Sequence, residues 1–415
     1  MSTALQSLAL GAVAARAVME WSLAQLNRRH VLQHAGTLPE AFRTTVTPEV
    51  YEKSVQYTLA KNHFHRLELW YEAILLGLVL SSGLLPATLA WHTRTFGSSL
   101  AAQSGYLCLV GVALGLCGLP WSWYAQFRLE QRFGLNTTTQ ALWWLDRAKG
   151  LLLTLLLGFP LVWLLLSLAI RAGDQWWLWA WGAIAIVQAA LFLLAPVVIL
   201  PWFNKFTPLP PGPLRERLLD LARRTRFEAR SIQVMDGSKR SRHSNAFFTG
   251  FGRFRKIVLF DTLVEQLSES ELAAVLAHEI GHAKRGHVLK MMAVSLVSLL
   301  AGCYGLAWLV KATWFYEGFG FQPGQLSAAF LLFGLLAGTV TFWLTPLGSL
   351  WSRRYEYQAD AYAAGVMGEA SSLIGALRKL SEKNLSNLMP HPLFSAFYYS
   401  HPTLLERERE LVQAR

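Results

Sequence analysis

His278-Glu279-Ile280-Gly281-His282 is the stretch of this chain whose residue types and spacing read most directly as chemistry. On a helix, the i, i+4 spacing sets both imidazoles on one face, about 5–6 Å apart at Cβ. Two ring nitrogens can then reach one zinc ion at about 2.0–2.1 Å each. Glu279 follows the first histidine and can reach a water on that ion, but not the ion itself. Zinc lowers the pKa of such a water toward about 7, and the carboxylate takes its proton as the water attacks a peptide carbonyl. The competing reading is a surface helix with two unremarkable histidines; Gly281 and the apolar Ala277 and Ile280 argue against a solvated face. A channel or transporter holding a structural zinc would have no use for Glu279.

A catalytic zinc site takes a third protein ligand and keeps a fourth position open. His287 lies five residues after His282, off the ligand face, and reads as a support for the helix end. Glu356 and Asp360 form the stronger pair, one helical turn apart in Arg353-Arg-Tyr-Glu-Tyr-Gln-Ala-Asp360. One carboxylate can bind the metal while the other accepts the free N–H of a ligating histidine. Spacing alone equally allows a solvated acidic pair beside Arg353 and Arg354.

These residues need elements to hold them. Ser268 and Glu271 form a capping-box pattern that starts the helix carrying His278. Residues 214–226 read as a basic amphipathic helix, 231–235 and 256–260 as strands, and 245–249 as a short strand ending at Gly250. Prolines at 201, 208, 210, 211 and 213 mark a boundary. They divide the chain into a membrane domain, 1–200, with five spans, and a metallopeptidase domain, 201–415, with spans six and seven.

The chain is 53% hydrophobic and 15% charged, with a mean hydropathy of +0.30. Soluble domains carry about 25% charge, so the deficit points to a bilayer. Seven apolar runs of about the length needed to cross one lie near 4–25, 68–91, 104–124, 150–170, 176–200, 290–311 and 327–350. Lys and Arg crowd 26–67, 125–149, 201–290 and 351–415, which places those segments in the cytoplasm and the N-terminus outside. The net charge of +12 suits anionic headgroups. No basic module interleaved with stacking aromatics is present, which excludes nucleic acid as a partner. Cys108, Cys117 and Cys303 fall inside spans and have no zinc-ligand spacing.

The chain resembles the type I CAAX prenyl endopeptidases, integral-membrane zinc peptidases of the a-factor-converting type. The likeness is carried by Gly118-Leu-Pro-Trp-Ser-Trp-Tyr124, Arg132-Phe-Gly-Leu-Asn136 and Phe206-Thr-Pro-Leu-Pro210 in the first half. Gly237-Ser-Lys-Arg-Ser241, His243-Ser-Asn-Ala246, Ile257-Val-Leu-Phe-Asp-Thr-Leu263 and the two metal motifs extend it. Asn384-Leu-Ser-Asn-Leu388 and Ser400-His-Pro-Thr-Leu-Leu-Glu406 complete it.

The resemblance implies a mainly α membrane protein: seven transmembrane helices enclosing a chamber, with a cytoplasmic gluzincin-type zinc metallopeptidase domain that contains a small β-sheet. It implies one Zn2+ per chain, with Glu356 as third ligand and Asp360 as either an orienting carboxylate or a proton donor. It sets Asn245 on an edge strand beside the bound peptide and gives His401 the oxyanion, where His401-Pro402 otherwise reads as a helix start. The implied partners are the lipid bilayer and a peptide or protein substrate, prenylated in this family. The short loop 312–326 and the ending Gln413-Ala-Arg415, which lacks a dilysine pattern, lead us to expect a bacterial inner membrane, with the endoplasmic reticulum as the alternative. In a bacterium the substrates would be membrane-associated or misfolded proteins.

Overall fold

The computed structural model describes residues 2–38, 40–42, 46–227, 229–249 and 255–413; the expected strand end at Gly250 and the terminal Ala414 and Arg415 lie outside them. Helices α1 (Ser2–His34), α2 (Pro48–Ser81), α3 (Leu84–Phe96), α4 (Leu100–Tyr124), α5 (Gln140–Arg171), α6 (Trp176–Leu194) and α7 (Leu200–Phe203) make up the first half. The second holds α8 (Pro213–Arg224), α9 (Asp261–Gln266), α10 (Glu269–Lys284), α11 (His287–Val310) and α12 (Thr313–Glu317). It continues with α13 (Leu326–Thr341), α14 (Thr345–Met367), α15 (Ser371–Lys383), α16 (Pro392–Tyr398) and α17 (Leu404–Gln413).

Among the described residues, six helical segments are long and apolar enough to cross a membrane: Ala4–His34, Leu100–Glu130, Gln140–Arg171, Gly173–Phe203, His287–Val310 and Leu326–Met367. Their outer faces expose Leu116, Trp179, Ile186, Val198 and Val297, the surface that a hydrocarbon solvent requires. The second expected span, 68–91, is a bent pair rather than one helix: α2 and α3 meet at 57°. Gly83 adopts a left-handed φ of 73° at the bend, a conformation open to glycine at little steric cost. The two ionisable residues that interrupt the first span pair with each other, Arg16 Nε to Glu20 Oε1 at 2.6 Å, which lowers the cost of carrying them at that depth.

The polar segment folds as a four-stranded sheet in the order β1-β2-β4-β3, with β1 Phe206–Pro208, β2 Ala229–Met235, β3 Ala246–Thr249 and β4 Arg255–Phe260. β2 and β4 are parallel; β1 and β3 run antiparallel to their neighbours. β3 is therefore an edge. Ile257 and Leu259 from β4 pack with Leu218, Leu221, Leu263, Leu272, Leu276 and Ile280 in one core, so the sheet is the bed on which α10 lies.

The two halves meet through polar turns. Asn136 bridges Ser241, and Arg240 holds Asp146 by two hydrogen bonds, 2.8 and 3.0 Å. The loop from the membrane half thus fixes the chain just upstream of β3.

Candidate metal centre and active site

α10 starts where its sequence says it should. The Ser268 side chain accepts from Glu271 N–H, and the Glu271 carboxylate accepts from Ser268 N–H. The helix ends at Gly286, whose φ of 65° reverses the chain into α11. Beside it runs α14, the continuation of the last span. Gly281 explains how close the two helices come: a Cβ there would meet the Ala359 Cα and carbonyl oxygen at 3.1 Å. Backbone touches backbone, and Glu356 and Asp360 are thereby laid against His278 and His282.

Three side chains converge. His278 Nε2 lies 3.1 Å from His282 Nε2; Glu356 Oε1 is 3.2 Å from His282 Nε2, and Oε2 is 3.5 Å from His278 Nε2. Tetrahedral bonds of 2.0–2.1 Å separate ligand atoms by about 3.3 Å. The donor set therefore fits a single divalent ion. The solvated reading of Glu356 and Asp360 is overturned, since both are buried, at 3% and 2% exposure.

The proton positions support the same fit. Asp360 Oδ1 accepts from His278 Nδ1–H at 2.8 Å, which leaves Nε2 of that ring a lone pair. His287 Nε2–H donates to Gln358 Oε1 at 3.0 Å, so His287 Nδ1 is an acceptor. It faces His282 Nδ1 at 3.0 Å, which must donate, and His282 Nε2 is again a lone pair. Two lone pairs 3.1 Å apart, with a carboxylate against both, call for a positive charge between them. Without a metal that charge is a proton: on His278 burial and the nearby Arg407 oppose it, but the hydrogen bonds to Asp360 and Glu356 prevail and hold the imidazole up at about 9.

His287 was expected to support the helix end. It belongs instead to the next helix, stacks on Tyr355 with ring centroids 4.3 Å apart, and touches a converging histidine directly. Arg407, on α17, was missed by the sequence reading. Its Nε donates to Asp360 Oδ2 at 2.7 Å and its Nη2 to Asp360 Oδ1. Arg407, Glu408 and Leu411 are the buried face of that helix. With Leu404 they repeat at i, i+3, i+4 and i+7, a signal the sequence did contain.

Glu279 lines a cavity of about 1000 Å³ and has no hydrogen-bond or ion-pair partner among the described residues. Burial pushes its carboxyl up, toward the range where a general base works at neutral pH. His401 and Asn245 line the same cavity. His401 Nδ1 lies 2.7 Å from Glu356 Oε2, with Nε2 left unpartnered. Asn245 sits at the start of edge strand β3; its Oδ1 accepts from Ala246 N–H.

Residues 27–205 match the family described as CAAX prenyl protease N-terminal, five membrane helices, and residues 208–415 match peptidase family M48. A CAAX prenyl protease 1 homolog of Oryza sativa subsp. japonica is 36% identical over 402 residues, 93% of each chain. CAAX prenyl protease 1 of Saccharomyces cerevisiae is 37% identical, over 89% of this chain and 87% of its own. The crystal structure of S. mikatae Ste24p superposes with a TM-score of 0.90 at 32% identity, covering 97% of this chain and 99% of that one.

Proposed function

This chain belongs to peptidase family M48 and carries the membrane region of the CAAX prenyl proteases; from that premise we propose which residues do its work and on what. It is a multi-pass membrane metalloendopeptidase acting on peptide or protein substrates. The metal is zinc, one per chain, held by His278, His282 and Glu356. The carrying observation is three donor side chains, His278 and Glu356 buried and His282 half-buried, with their atoms 3.1–3.5 Å apart beside a carboxylate that has no hydrogen-bond partner among the described residues. When bound, zinc polarises the scissile carbonyl and acidifies water.

Glu279 takes the proton of the attacking water and delivers it to the leaving amine. β3 offers its free edge to an extended peptide, with Asn245 at the reacting end. His401 keeps Nδ1 on Glu356 and turns Nε2 toward the carbonyl oxygen as charge builds there. Asp360 works as a positioning residue: both its oxygens accept, from Arg407 and His278, so it has no proton to give. Of its two implied roles, orienting is the one this geometry supports.

The division of labour follows the chain, with residues 1–200 as membrane domain and 201–415 as metallopeptidase domain. The substrate is the C-terminal segment of a membrane-associated protein, cut three residues from its end, as the resemblance to the CAAX prenyl endopeptidases implies. Its site opens to the cytoplasm, because the basic loops lie on that side. The short connection between α11 and α13 supports a bacterial inner membrane, where unprenylated chains are the substrate; a prenylated one goes with an endoplasmic reticulum membrane, as in the alternative. Turnover of farnesylated and unmodified versions of one peptide separates these. Glu279→Gln tests the mechanism: zinc and fold persist while hydrolysis falls by about 10²–10⁴-fold. Near-native turnover in that variant would refute it.

A further inference from the structure

The cavity continues past the metal centre along a wall built by α2, and there it presents Lys61. The Lys61 ammonium lies 5.0 Å from the centre of the Tyr57 ring and has no hydrogen-bond or ion-pair partner among the described residues. Its acidic neighbour is engaged elsewhere. Glu130 Oε1 accepts the Tyr57 hydroxyl, and Oε2 faces His243 Nε2 at 3.5 Å. The other fixed cation in the cavity wall, Arg407, is locked on Asp360. Among the described residues, Lys61 is thus the one Lys or Arg of the cavity with all its donors free.

Its place relative to β3 gives it a partner. β3 runs from Ala246 to Thr249 and is antiparallel to β4. A peptide that adds antiparallel to β3 runs the other way, so its C-terminal end passes Asn245, then Ser244, then His243. A chain cut next to Asn245 with three residues remaining puts its last residue opposite His243. Three extended residues reach about 10 Å. His243 is the residue that faces Glu130, on the wall that carries Lys61. An α-carboxylate arriving there meets Glu130, whose oxygens face Tyr57 and His243 and which already feels the Lys61 charge, and an ammonium that has no hydrogen-bond partner of its own among the described residues.

We propose that Lys61 recognises the free C-terminal carboxylate of the substrate. The ammonium is the measuring point that sets the cut three residues from the chain end. A long flexible lysine stem suits this role, because it can follow a carboxylate whose last side chains vary. The inference rests on the endopeptidase reading above and on β3 as the strand that receives the peptide.

The test uses the full-length, zinc-loaded chain and one fluorogenic peptide in farnesylated and unmodified forms, each prepared as a matched pair ending in a free carboxylate or in a carboxamide. An unpaired charge-assisted contact predicts that the wild type prefers the acid by about tenfold or more in kcat/KM. In Lys61→Met the ratio of acid to amide collapses to near one, with zinc per chain unchanged by mass spectrometry; Lys61→Arg retains the preference. Equal cleavage of acid and amide by the wild type, or an undiminished preference in Lys61→Met, overturns the role of Lys61 alone. Absence of zinc-dependent cleavage of any of these peptides, with cleavage of an unfolded protein intact, overturns the C-terminal substrate reading and the role of Lys61 with it.

Discussion

The wall that converges on the metal position and the wall that faces the peptide are built on opposite plans. On the first, the groups sit on helices, are buried or half-buried, and both histidines are fixed by a second group behind them. Arg407 stands behind Asp360, which stands behind His278; Gln358 stands behind His287, which stands behind His282. On the second, His401, Asn245 and Lys61 are all exposed and reach the cavity from a loop, a strand edge and a helix surface. A metal site tolerates no rotamer search, because ligand direction and tautomer set affinity. A peptide site must admit chains of differing sequence, so rigid backbone and adaptable side chains serve it better. Substitutions on the two walls should accordingly fail in different ways, the first through metal or fold and the second through rate with metal in place.

The widest separation is expected within one helix turn. Glu356→Ala removes a converging carboxylate and should leave less than a tenth of the zinc and no measurable turnover. Asp360→Asn should keep zinc at saturating metal and lose about 10–100-fold in affinity or rate. Zinc per chain by mass spectrometry, with turnover on the same samples, distinguishes them. Zinc retained in Glu356→Ala would place the third ligand elsewhere. Because metal-free His278 holds its proton up to about 9, zinc uptake near neutrality releases a proton, and apparent affinity rises about tenfold per pH unit there.

Arg407→Met comes next. It leaves the Asp360 carboxylate buried and short of its main partner, which costs about 3–5 kcal/mol. The double variant Arg407→Met, Asp360→Asn removes the orphaned charge and should recover much of that in thermal melts. If the single variant melts with the wild type, Arg407 is not the counter-charge that the geometry makes it.

His287→Phe should keep the stack on Tyr355 but remove the acceptor that holds His282 Nδ1–H. Zinc affinity should fall about 10–100-fold with little change in melting temperature. An unchanged zinc affinity would mean that the tautomer of His282 is set by something else.

How much of this was readable before the structure depends on range. The His278–His282 pair and the Glu356–Asp360 pair were legible because an α-helix turns i, i+4 spacing into a shared face. The start of α10 was legible because a capping box is local chemistry. The bend at Gly83 was not, since one glycine inside an apolar run carries no mark of its φ. β1 was missed because three residues ending in proline make a weak strand pattern. Arg407 sits in Leu404-Leu-Glu-Arg-Glu-Arg-Glu-Leu411, where charge density hides which arginine turns inward. Its partner is 47 residues away, and nothing local connects them. The link between His282 and His287 depends on a chain reversal at Gly286 that a helical wheel would not draw.

The smallest expected effect probes how the peptide wall is held, and it falls on Arg353. Spacing alone left this residue as a possible neighbour for a solvated acidic pair. The structure puts it under the end of α16, where Nη1 donates to the carbonyl oxygens of Ser395, Ala396 and Tyr399 at 3.2, 3.0 and 3.0 Å. Ser395 O also accepts from Tyr399 N–H, while the carbonyls of Ala396 and Tyr399 lie where a helix end leaves such groups without partners of its own, and two residues beyond Tyr399 comes His401. Arg353 therefore holds the backbone of the His401 loop from the same helix that carries Glu356. Arg353→Met should free that loop at a cost of about 1–2 kcal/mol, leave zinc at one per chain, and lower kcat more than it raises KM. Amide exchange across 395–403 should quicken while exchange across α10 stays slow. Lost zinc in Arg353→Met, or unaltered exchange at 395–403, would break the distinction between the two walls at this point. The first would make Arg353 part of the metal wall, and the second would leave His401 held by its contact with Glu356 alone.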